Sequence, residues 1–301
     1  MKKKTVVLAI DAGGTFFKSG LVSCDGEIEE NTKFSCPVDS GGTKESVRDG
    51  YRRLIVWQME KARCLGLSVM AVGVDTPGPF DYEKGESLMK HKFQALYRVP
   101  LRPWIEEAAG KLPITFIHDS TAFLLGEYWK GGLKGNSDCA GVMLGTGLGF
   151  AYMEHGVVKL NPQGGPGYSV YNRPFRDATA EEYISRRGII RRYRQLTGDE
   201  SPEIDVKNIA QMAEKGCKEA RMILEETGTM LGEVMLPVLK EIRCDKLVIG
   251  GQISKAYPYF GKALENRLKG TGLQTIVPSH SPDNSHLLGC AYGIFEKNGM
   301  C

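Results

Sequence analysis

Short apolar, often β-branched runs alternate along the chain with stretches of helical periodicity. These runs predict strands over residues 6–10, 17–23, 28–34, 69–74, 114–117, 140–144, 150–153, 157–160, 246–249 and 275–278. Helical patterns cover residues 43–63, 100–111, 121–129, 179–193, 206–215, 217–227, 230–242 and 286–295. Such alternation is typical of an α/β protein.

Two helix starts carry capping signals. Ser120 is predicted as the N-cap of the helix over 121–129. Thr179 and Glu182 have the spacing of a capping box.

Two glycine-rich turns each lie between two predicted strands. The first is Asp11-Ala12-Gly13-Gly14-Thr15, and the second is Gly145-Thr146-Gly147-Leu148-Gly149. A P-loop or a dinucleotide-binding turn would instead open a helix. Glycines let backbone N–H groups approach phosphate oxygens, so the pair indicates a two-part phosphate site, although ordinary hairpin turns are the alternative. The repeated strand–turn–strand order also indicates an internal duplication, with a link near residues 131–138.

Composition and charge limit the classes of binding partner that the chain is expected to have. The chain has 301 residues and a net charge of +3, which gives no argument for nucleic acid or a membrane surface. The arginine run over residues 186–194 is predicted to be a solvated helix face rather than an RNA or phosphate site. The eight cysteines form no C-x-x-C pair, and no apolar run reaches the roughly 20 residues of a membrane span. We therefore expect free thiols, no secretory leader, no membrane segment and a cytoplasmic location.

Five motifs, in this order, carry a resemblance to a known family. They are Asp11–Thr15 with Lys18, Thr76-Pro77-Gly78-Pro79, His118-Asp119 before Leu125-Gly126-Glu127, Leu144–Gly149, and Gly250-Gly251 before Ile253-Ser254. Together they resemble the ROK family of sugar kinases, within the actin, hexokinase and Hsp70 superfamily. The resemblance implies two ribonuclease-H-like (actin-like ATPase) lobes with an ATP and sugar cleft between them. Residues 1–120, completed by a helix over 286–297, would form the N-terminal lobe and residues 121–285 the C-terminal lobe. It also implies a homodimer.

The same resemblance assigns roles. Asp119 would be the general base that accepts the proton of the attacking sugar hydroxyl, and Asp11 would hold Mg²⁺ through water. Contacts with ATP would come from Gly13, Gly14, Thr15, Lys18, Gly145, Thr146, Gly147, Gly149, Gly250 and Gly251. Sugar contacts would come from Gly78, Pro79, His118, Asp119 and Glu181. A helix-capping Asp119, a rigid Pro-Gly-Pro turn and a first-turn helix acid at Glu181 are the structural alternatives.

The chain departs from the family pattern in the sugar half. His118 stands where the family usually has Asn, and Gly165 and Tyr168 fall where a sugar-binding Glu and a zinc-binding His are usual. The cysteine-rich zinc loop is replaced by residues 171–179, which contain no cysteine, so we predict no structural zinc. Lys90, His91 and Lys92 are further candidates for sugar contacts, with an ordinary exposed basic surface as the alternative.

These observations favour an ATP- and Mg²⁺-dependent kinase of a hexose or a hexose derivative. The second hypothesis is a nucleotide- or sugar-binding regulator without turnover, because the sugar half is altered. A nucleotide-dependent hydrolase or acyl-phosphate enzyme of the same superfamily is the third.

Overall fold

The structure is a computed structural model that describes residues 3–90 and 92–301, so His91 lies outside the described residues. Its strands are β1 (Thr5–Ala12), β2 (Phe16–Ser23), β3 (Phe34–Pro37), β4 (Ser68–Thr76), β5 (Phe80–Asp81), β6 (Glu86–Ser87), β7 (Ile114–His118), β8 (Cys139–Leu144), β9 (Leu148–Glu154), β10 (Val157–Val158), β11 (Pro174–Phe175), β12 (Ala178–Thr179), β13 (Lys246–Gly250) and β14 (Thr275–Pro278). Its helices are α1 (Lys44–Cys64), α2 (Arg102–Ala109), α3 (Asp119–Lys130), α4 (Ala180–Ile184), α5 (Arg186–Thr197), α6 (Val206–Glu214), α7 (Lys218–Glu241), α8 (Tyr257–Arg267) and α9 (Pro282–Lys297). Short 3₁₀ helices cover Gln94–Leu96 and Gln252–Ala256.

The first compact unit comprises the chain up to Gly131 together with Leu160–Pro166 and Asp283–Cys301. Its five-stranded sheet has the order β3-β2-β1-β4-β7, in which β1, β4 and β7 are parallel. Alternate residues of β1 enter two hydrophobic clusters, one shared with α1 and α2 and the other with α3 and α9. This period of two follows from the pleat of a strand that is covered on both faces.

The second compact unit comprises Gly132–Lys159 and Gly167–Pro282. Its sheet has the order β10-β9-β8-β13-β14, with β8, β13 and β14 parallel. A large hydrophobic cluster joins this sheet to helices α4 to α8. The second sheet thus repeats the order of the first, and the predicted α/β class is confirmed.

Helix α3 belongs entirely to the first unit, so the chain passes to the second unit after Gly131, where the link near residues 131–138 was predicted, rather than at residue 120, the predicted lobe boundary. The reason is a close contact between α3 and α9. Gly126 lies against the backbone of Ser285, and Gly289 lies against the backbone of Ala122. The assignment of the units to sugar and nucleotide stays a prediction.

The predicted third strand is displaced. Residues 28–34 form a turn with one bridge between Val22 and Ile28, and β3 begins only at Phe34. Asn31 has a φ of 57°, in the left-handed region, which interrupts an extended strand. The hydroxyl of Thr32 also accepts a hydrogen bond from the Leu21 N–H at 3.2 Å and so fixes the turn.

Three helix predictions also need correction. The helix over 179–193 is broken at Ser185, whose backbone is extended, and the Thr179 side chain makes no capping hydrogen bond. The two patterns over 217–227 and 230–242 form the single helix α7. The N-cap of α3 is His118 rather than Ser120.

Within the described residues, we find no helix whose length and apolar character would suffice to cross a bilayer.

We predict that Gly289→Ala destabilises the first unit. A Cβ at this position would overlap the carbonyl oxygen of Ala122, so two helix backbones would have to separate. We expect the free energy of unfolding to fall by about 1–3 kcal/mol, measured by urea denaturation.

Gly293→Ala on the same helix is the matched control. The nearest atom to its added Cβ is Cδ1 of Leu125 at 3.9 Å, so the change should be neutral or stabilise by up to about 1 kcal/mol. Equal unfolding midpoints for the two variants would contradict the helix contact.

Candidate active site

Three parallel strands of the first unit end at one edge of its sheet. Asp11 of β1 is paired with Asp75 of β4, and Thr76 is paired with His118 of β7. Asp119 follows His118 as the first residue of α3. The carboxyl ends of parallel strands are where open α/β sheets bind ligands. The predicted residues Asp11 and Asp119 therefore share this edge with Asp75, which the sequence analysis missed.

Asp75 is a carboxylate in the interior of the first unit. Its side chain is 1% exposed, and burial together with the charge of Asp11 raises the pKa of Asp75 to about 7. Its Oδ2 accepts a hydrogen bond from the Cys290 thiol at 3.3 Å. Its Oδ1 lies 3.7 Å from Nδ1 of His286 on α9.

His286 supplies the compensating charge. Burial by itself lowers the pKa of His286, but the negative charges of Asp11 and Asp75 outweigh it and raise that pKa to about 9. Within the described residues, Asp11, Asp75 and His286 are the group of three side chains placed to share one metal ion.

Asp119, at the start of α3, makes its close contacts with the residues on either side of it in the chain. Its Oδ1 lies 2.8 Å from Nδ1 of His118 and accepts a hydrogen bond from the Ser120 N–H at 2.6 Å. Burial works to raise the pKa of Asp119, but His118, His286 and the Ser120 N–H together lower it below its ordinary value. Asp119 is therefore ionised at neutral pH. With its side chain 28% exposed, it can accept a hydrogen bond from a hydroxyl group.

The Pro-Gly-Pro segment lies beside His118. A Cβ on Gly78 would lie 3.4 Å from the His118 ring and 3.5 Å from the Tyr82 hydroxyl. The Tyr82 hydroxyl donates to the Thr76 carbonyl at 3.1 Å, and the carbonyl of Pro79 accepts from the Leu88 N–H at 3.0 Å. The structure thus brings the predicted residues Gly78 and His118 together and adds Tyr82, whose position within a loop gave no sequence signal.

Two backbone hydrogen bonds from residues after β3 hold the first glycine turn in place. The carbonyl of Thr15 accepts from the Val38 N–H at 2.9 Å, and that of Gly14 accepts from the Ser40 N–H at 3.3 Å. Nζ of Lys18 lies 3.9 Å from Oδ2 of Asp11. Gly13, Gly14 and Lys18 are only partly buried and Thr15 is exposed, so this turn keeps free surface next to Asp11.

The second glycine turn, in the second unit, is braced by Glu181. The Gly145 N–H donates to the Gly147 carbonyl at 3.0 Å and closes the turn. The Leu148 N–H donates to Oε2 of Glu181 at 3.0 Å. Glu181, predicted as a sugar contact, therefore holds the backbone between Thr146 and Gly149 in place.

The glycine pair at the end of β13 lies beside this turn. Gly250 pairs with Met143 at the end of β8, and Gly149 of β9 pairs with the same residue from the other side. Gly251 has a φ of +77°, and a Cβ there would overlap the carbonyl oxygen of Leu144. Only glycine can lie this close to the Leu144 carbonyl. The close packing brings the predicted residues Gly250 and Gly251 next to the second turn.

A cavity of about 740 Å³ opens next to the second turn. Its lining includes Gly145, Thr146, Arg186, Lys207 and Tyr259. Arg186 belongs to the arginine run predicted to be a solvated face, and its Nε lies 2.7 Å from Oδ1 of Asp205. The helical pattern of α5 gave no indication that Arg186 would reach a cavity.

Gly165 and Tyr168 each make a hydrogen bond within their own unit. The Gly165 N–H donates to Oδ1 of Asn161 at 3.0 Å within the first unit. In the second unit the Tyr168 hydroxyl donates to Oε2 of Glu241 at 2.8 Å, and the Arg173 guanidinium lies 5.4 Å from the Tyr168 ring centroid. Residues 174–179 form the small β11–β12 hairpin.

A family model described as "ROK family" matches residues 7–167 and 174–295. This chain belongs to the ROK family. The match spans both units and nearly all of the motifs described above.

Similar proteins are known as sequences and as structures. The chain is 28% identical over 328 residues to a glucokinase of Thermotoga maritima, covering 98% of this chain and 99% of that protein. It is 26% identical over 300 residues to a β-glucoside kinase of Listeria innocua, covering 97% of this chain and 98% of that protein. The crystal structure of a ROK family glucokinase from Streptomyces griseus in complex with glucose and AMPPNP has a TM-score of 0.77 at 22% identity and covers 95% of this chain and 98% of that one. The last likeness confirms the fold, in which each of the two units contains a five-stranded sheet.

We predict that Glu181→Ala lowers the free energy of unfolding by about 1–3 kcal/mol. The buried Leu148 N–H would lose its acceptor, whereas Glu181→Gln keeps one and should cost less. Urea unfolding followed by circular dichroism measures the difference.

Glu182→Ala is the matched control on the same helix. Glu182 makes exposed ion pairs with Arg187 and Arg191, so its loss should change stability by less than about 1 kcal/mol. If both alanine variants behaved alike, Glu181 would not brace the turn.

Proposed function

We propose that this protein is an ATP- and Mg²⁺-dependent kinase that transfers the γ-phosphate to a hydroxyl of a hexose or a hexose derivative. The observation that carries the proposal is the placement of Asp11 and Asp119 at one sheet edge of a ROK family chain. Asp11, Gly13, Gly14, Thr15 and Lys18 would contribute to binding the phosphates of ATP.

Asp119 would act as the general base. Its low pKa keeps it ionised, and His118 and the Ser120 N–H fix its carboxylate. An ionised, oriented carboxylate can hold the attacking hydroxyl and take its proton as the bond to phosphorus forms. A weak base suffices, because phosphoryl transfer depends mainly on positioning and electrostatic stabilisation.

The second unit would bind the nucleotide. The cavity of about 740 Å³ is in the range of small-molecule sites and is lined by Gly145 and Thr146. Gly250 and Gly251 would leave room for the nucleoside, and Gly145, Gly147 and Gly149 for backbone contacts with phosphate oxygens. Arg186 and Lys207 would add positive charge.

Asp11 would hold Mg²⁺ through water. A carboxylate at the end of β1 offers the hard oxygen ligand that Mg²⁺ prefers while leaving room for its water shell. The ion would neutralise charge on the transferred phosphate.

For the sugar we propose only its class, a hexose or a hexose derivative. The relatives named above act on glucose and on β-glucosides according to their names. Gly78, Pro79 and His118 would contact the sugar, with Tyr82 as an addition, while Glu181 is committed to the second turn. The altered residues Gly165 and Tyr168 are reasons to test more than glucose.

We also propose a homodimer in the cytoplasm, without nucleic acid or membrane partners. We further propose that the β11–β12 hairpin replaces the zinc loop and that the protein holds no structural zinc there.

The decisive measurement is ADP release with glucose, β-glucosides, N-acetylhexosamines and polyols. Asp119→Asn should lower kcat about 10²- to 10⁴-fold for the best acceptor, because an amide cannot take the proton. Asp49→Asn, an exposed carboxylate on α1, is the control and should leave kcat unchanged.

Unchanged kcat in Asp119→Asn would refute the general-base role. If no acceptor were turned over by the unmodified protein while calorimetry showed tight binding of a sugar or nucleotide, the regulator hypothesis would replace the kinase.

We predict that Gly251→Ala raises the KM for ATP at least about tenfold and leaves the KM for the sugar nearly unchanged. The added Cβ would overlap the Leu144 carbonyl and displace the turn beside the cavity. Steady-state kinetics with each substrate varied in turn separates the two constants.

Gly270→Ala is the matched control. Gly270 has a φ of +83° but no atom within 4 Å of an added Cβ, so it shares the backbone strain without the overlap. An equal rise in the KM for ATP in both variants would contradict the role of the Gly250–Gly251 turn.

A further inference from the structure

Three side chains from separate elements converge at the edge of the first sheet. Asp11 lies on β1, Asp75 on β4 and His286 on α9, and they can each offer one ligand atom within 4.8 Å of the others. The pairing of Asp11 with Asp75 across two parallel strands fixes the two carboxylates relative to each other. His286 adds an imidazole nitrogen 3.7 Å from Oδ1 of Asp75.

The buried part of this cluster has unsatisfied polar atoms. The Asp75 side chain is 1% exposed, and its Oδ1 faces Nδ1 of His286 at 3.7 Å, within ion-pair distance but too far for a hydrogen bond, so that neither atom has a hydrogen-bond partner among the described residues. Buried polar atoms without partners are rare in native proteins, because each one costs its full desolvation energy. Both atoms belong to the same cluster, so one bound cation would satisfy both.

A hydrogen bond fixes the other carboxylate oxygen of Asp75. Its Oδ2 accepts from the Cys290 thiol at 3.3 Å, which leaves Oδ1 for the cluster. Groups that hydrogen-bond to a metal-binding carboxylate fix its direction and contribute to affinity. Nζ of Lys18, 3.9 Å from Asp11, is partly exposed and can turn away to solvent.

We propose that Asp11, Asp75 and His286 form a site that binds one divalent transition-metal ion directly, in the absence of nucleotide. Two carboxylates supply negative charge, and the imidazole favours Zn²⁺ or Mn²⁺ over Mg²⁺, which prefers oxygen ligands. The ion takes the place of the ring proton on Nδ1, since both bind the same lone pair. This site goes beyond the proposed function, in which Asp11 alone contacts Mg²⁺ through water.

The ion-pair alternative makes a different prediction. If the His286 imidazolium alone balances Asp75, the protein binds no transition metal in this cluster. Titration calorimetry of the chelator-treated full chain, without nucleotide or sugar, with ZnCl₂, MnCl₂ and MgCl₂ separates the two cases. We expect one ion per chain, with affinity in the order Zn²⁺, Mn²⁺, Mg²⁺.

Asp75→Asn and His286→Gln should each weaken Zn²⁺ binding at least about tenfold, since each removes one of three ligands. His155→Gln is the matched control. His155 also lies 3.7 Å from an aspartate, Asp138, but its side chain is 71% exposed on the second unit. Its replacement should leave both stoichiometry and affinity unchanged.

Pulsed electron paramagnetic resonance of bound Mn²⁺ gives an independent readout. The ¹⁴N modulation expected from a directly bound imidazole should appear in the unmodified protein and vanish in His286→Gln. Circular dichroism verifies that each variant is folded. If His286→Gln fails to fold, Asp75→Asn and the spectrum of the unmodified protein still decide.

The proposal is overturned if the folded, unmodified protein binds neither Zn²⁺ nor Mn²⁺, or if Asp75→Asn and His286→Gln bind Zn²⁺ as the unmodified protein does. Loss of binding in His155→Gln would also overturn it. The kinase proposal is tested separately by ADP release with Mg²⁺, so either proposal can fail while the other stands.

Discussion

Repulsion between carboxylates at one sheet edge is the constraint on which the first unit depends. Parallel strands deliver Asp11, Asp75 and the start of α3 with Asp119 to this edge. Two unit charges 4 Å apart interact by about 4 kcal/mol in a partly buried environment, so such a group needs cations nearby. His286 lies beside Asp75, and the Ser120 N–H donates a hydrogen bond to Asp119. Thus Asp75 has a raised pKa while Asp119 remains ionised.

The charge balance relies on helix packing. His286 reaches the edge only because α9 returns to the first sheet and packs closely on α3 through Gly126 and Gly289. The same helix carries Cys290, whose thiol donates to Asp75. Burial raises the pKa of the Cys290 thiol far above its usual value, so it stays a neutral donor. Two glycines in the core therefore control the electrostatics of residues that are distant in sequence.

Sequence patterns predicted the features that depend on residues close together in the chain. Buried strands, glycine turns and the residue at the end of β7 follow from periodicity and from short motifs, so Asp11 and Asp119 were placed at strand ends, and the family resemblance supplied their predicted roles. Asp75 was missed, although it directly precedes the predicted Thr76–Pro79 motif, because its burial depends on α9. His286 gave no signal because only the α3–α9 contact brings it to Asp75. The break at Ser185 also depends on a distant contact, since the next residue, Arg186, donates its N–H to the Gly145 carbonyl at 2.8 Å.

The two halves of the proposed site would use different chemistry. The two glycine turns would bind phosphate through backbone N–H groups, and glycines such as Gly251 are fixed by space and by φ. Sugar recognition works through side chains, which can be exchanged without moving the backbone. Aromatic and arginine contacts hold the region of the β11–β12 hairpin: the Arg176 guanidinium lies 5.4 Å from the Phe175 ring and 5.3 Å from the Tyr183 ring. In the proposed kinase, acceptor selectivity would therefore depend on side chains such as those of His118 and Tyr82, whereas the phosphate contacts would depend on the backbone of the glycine turns.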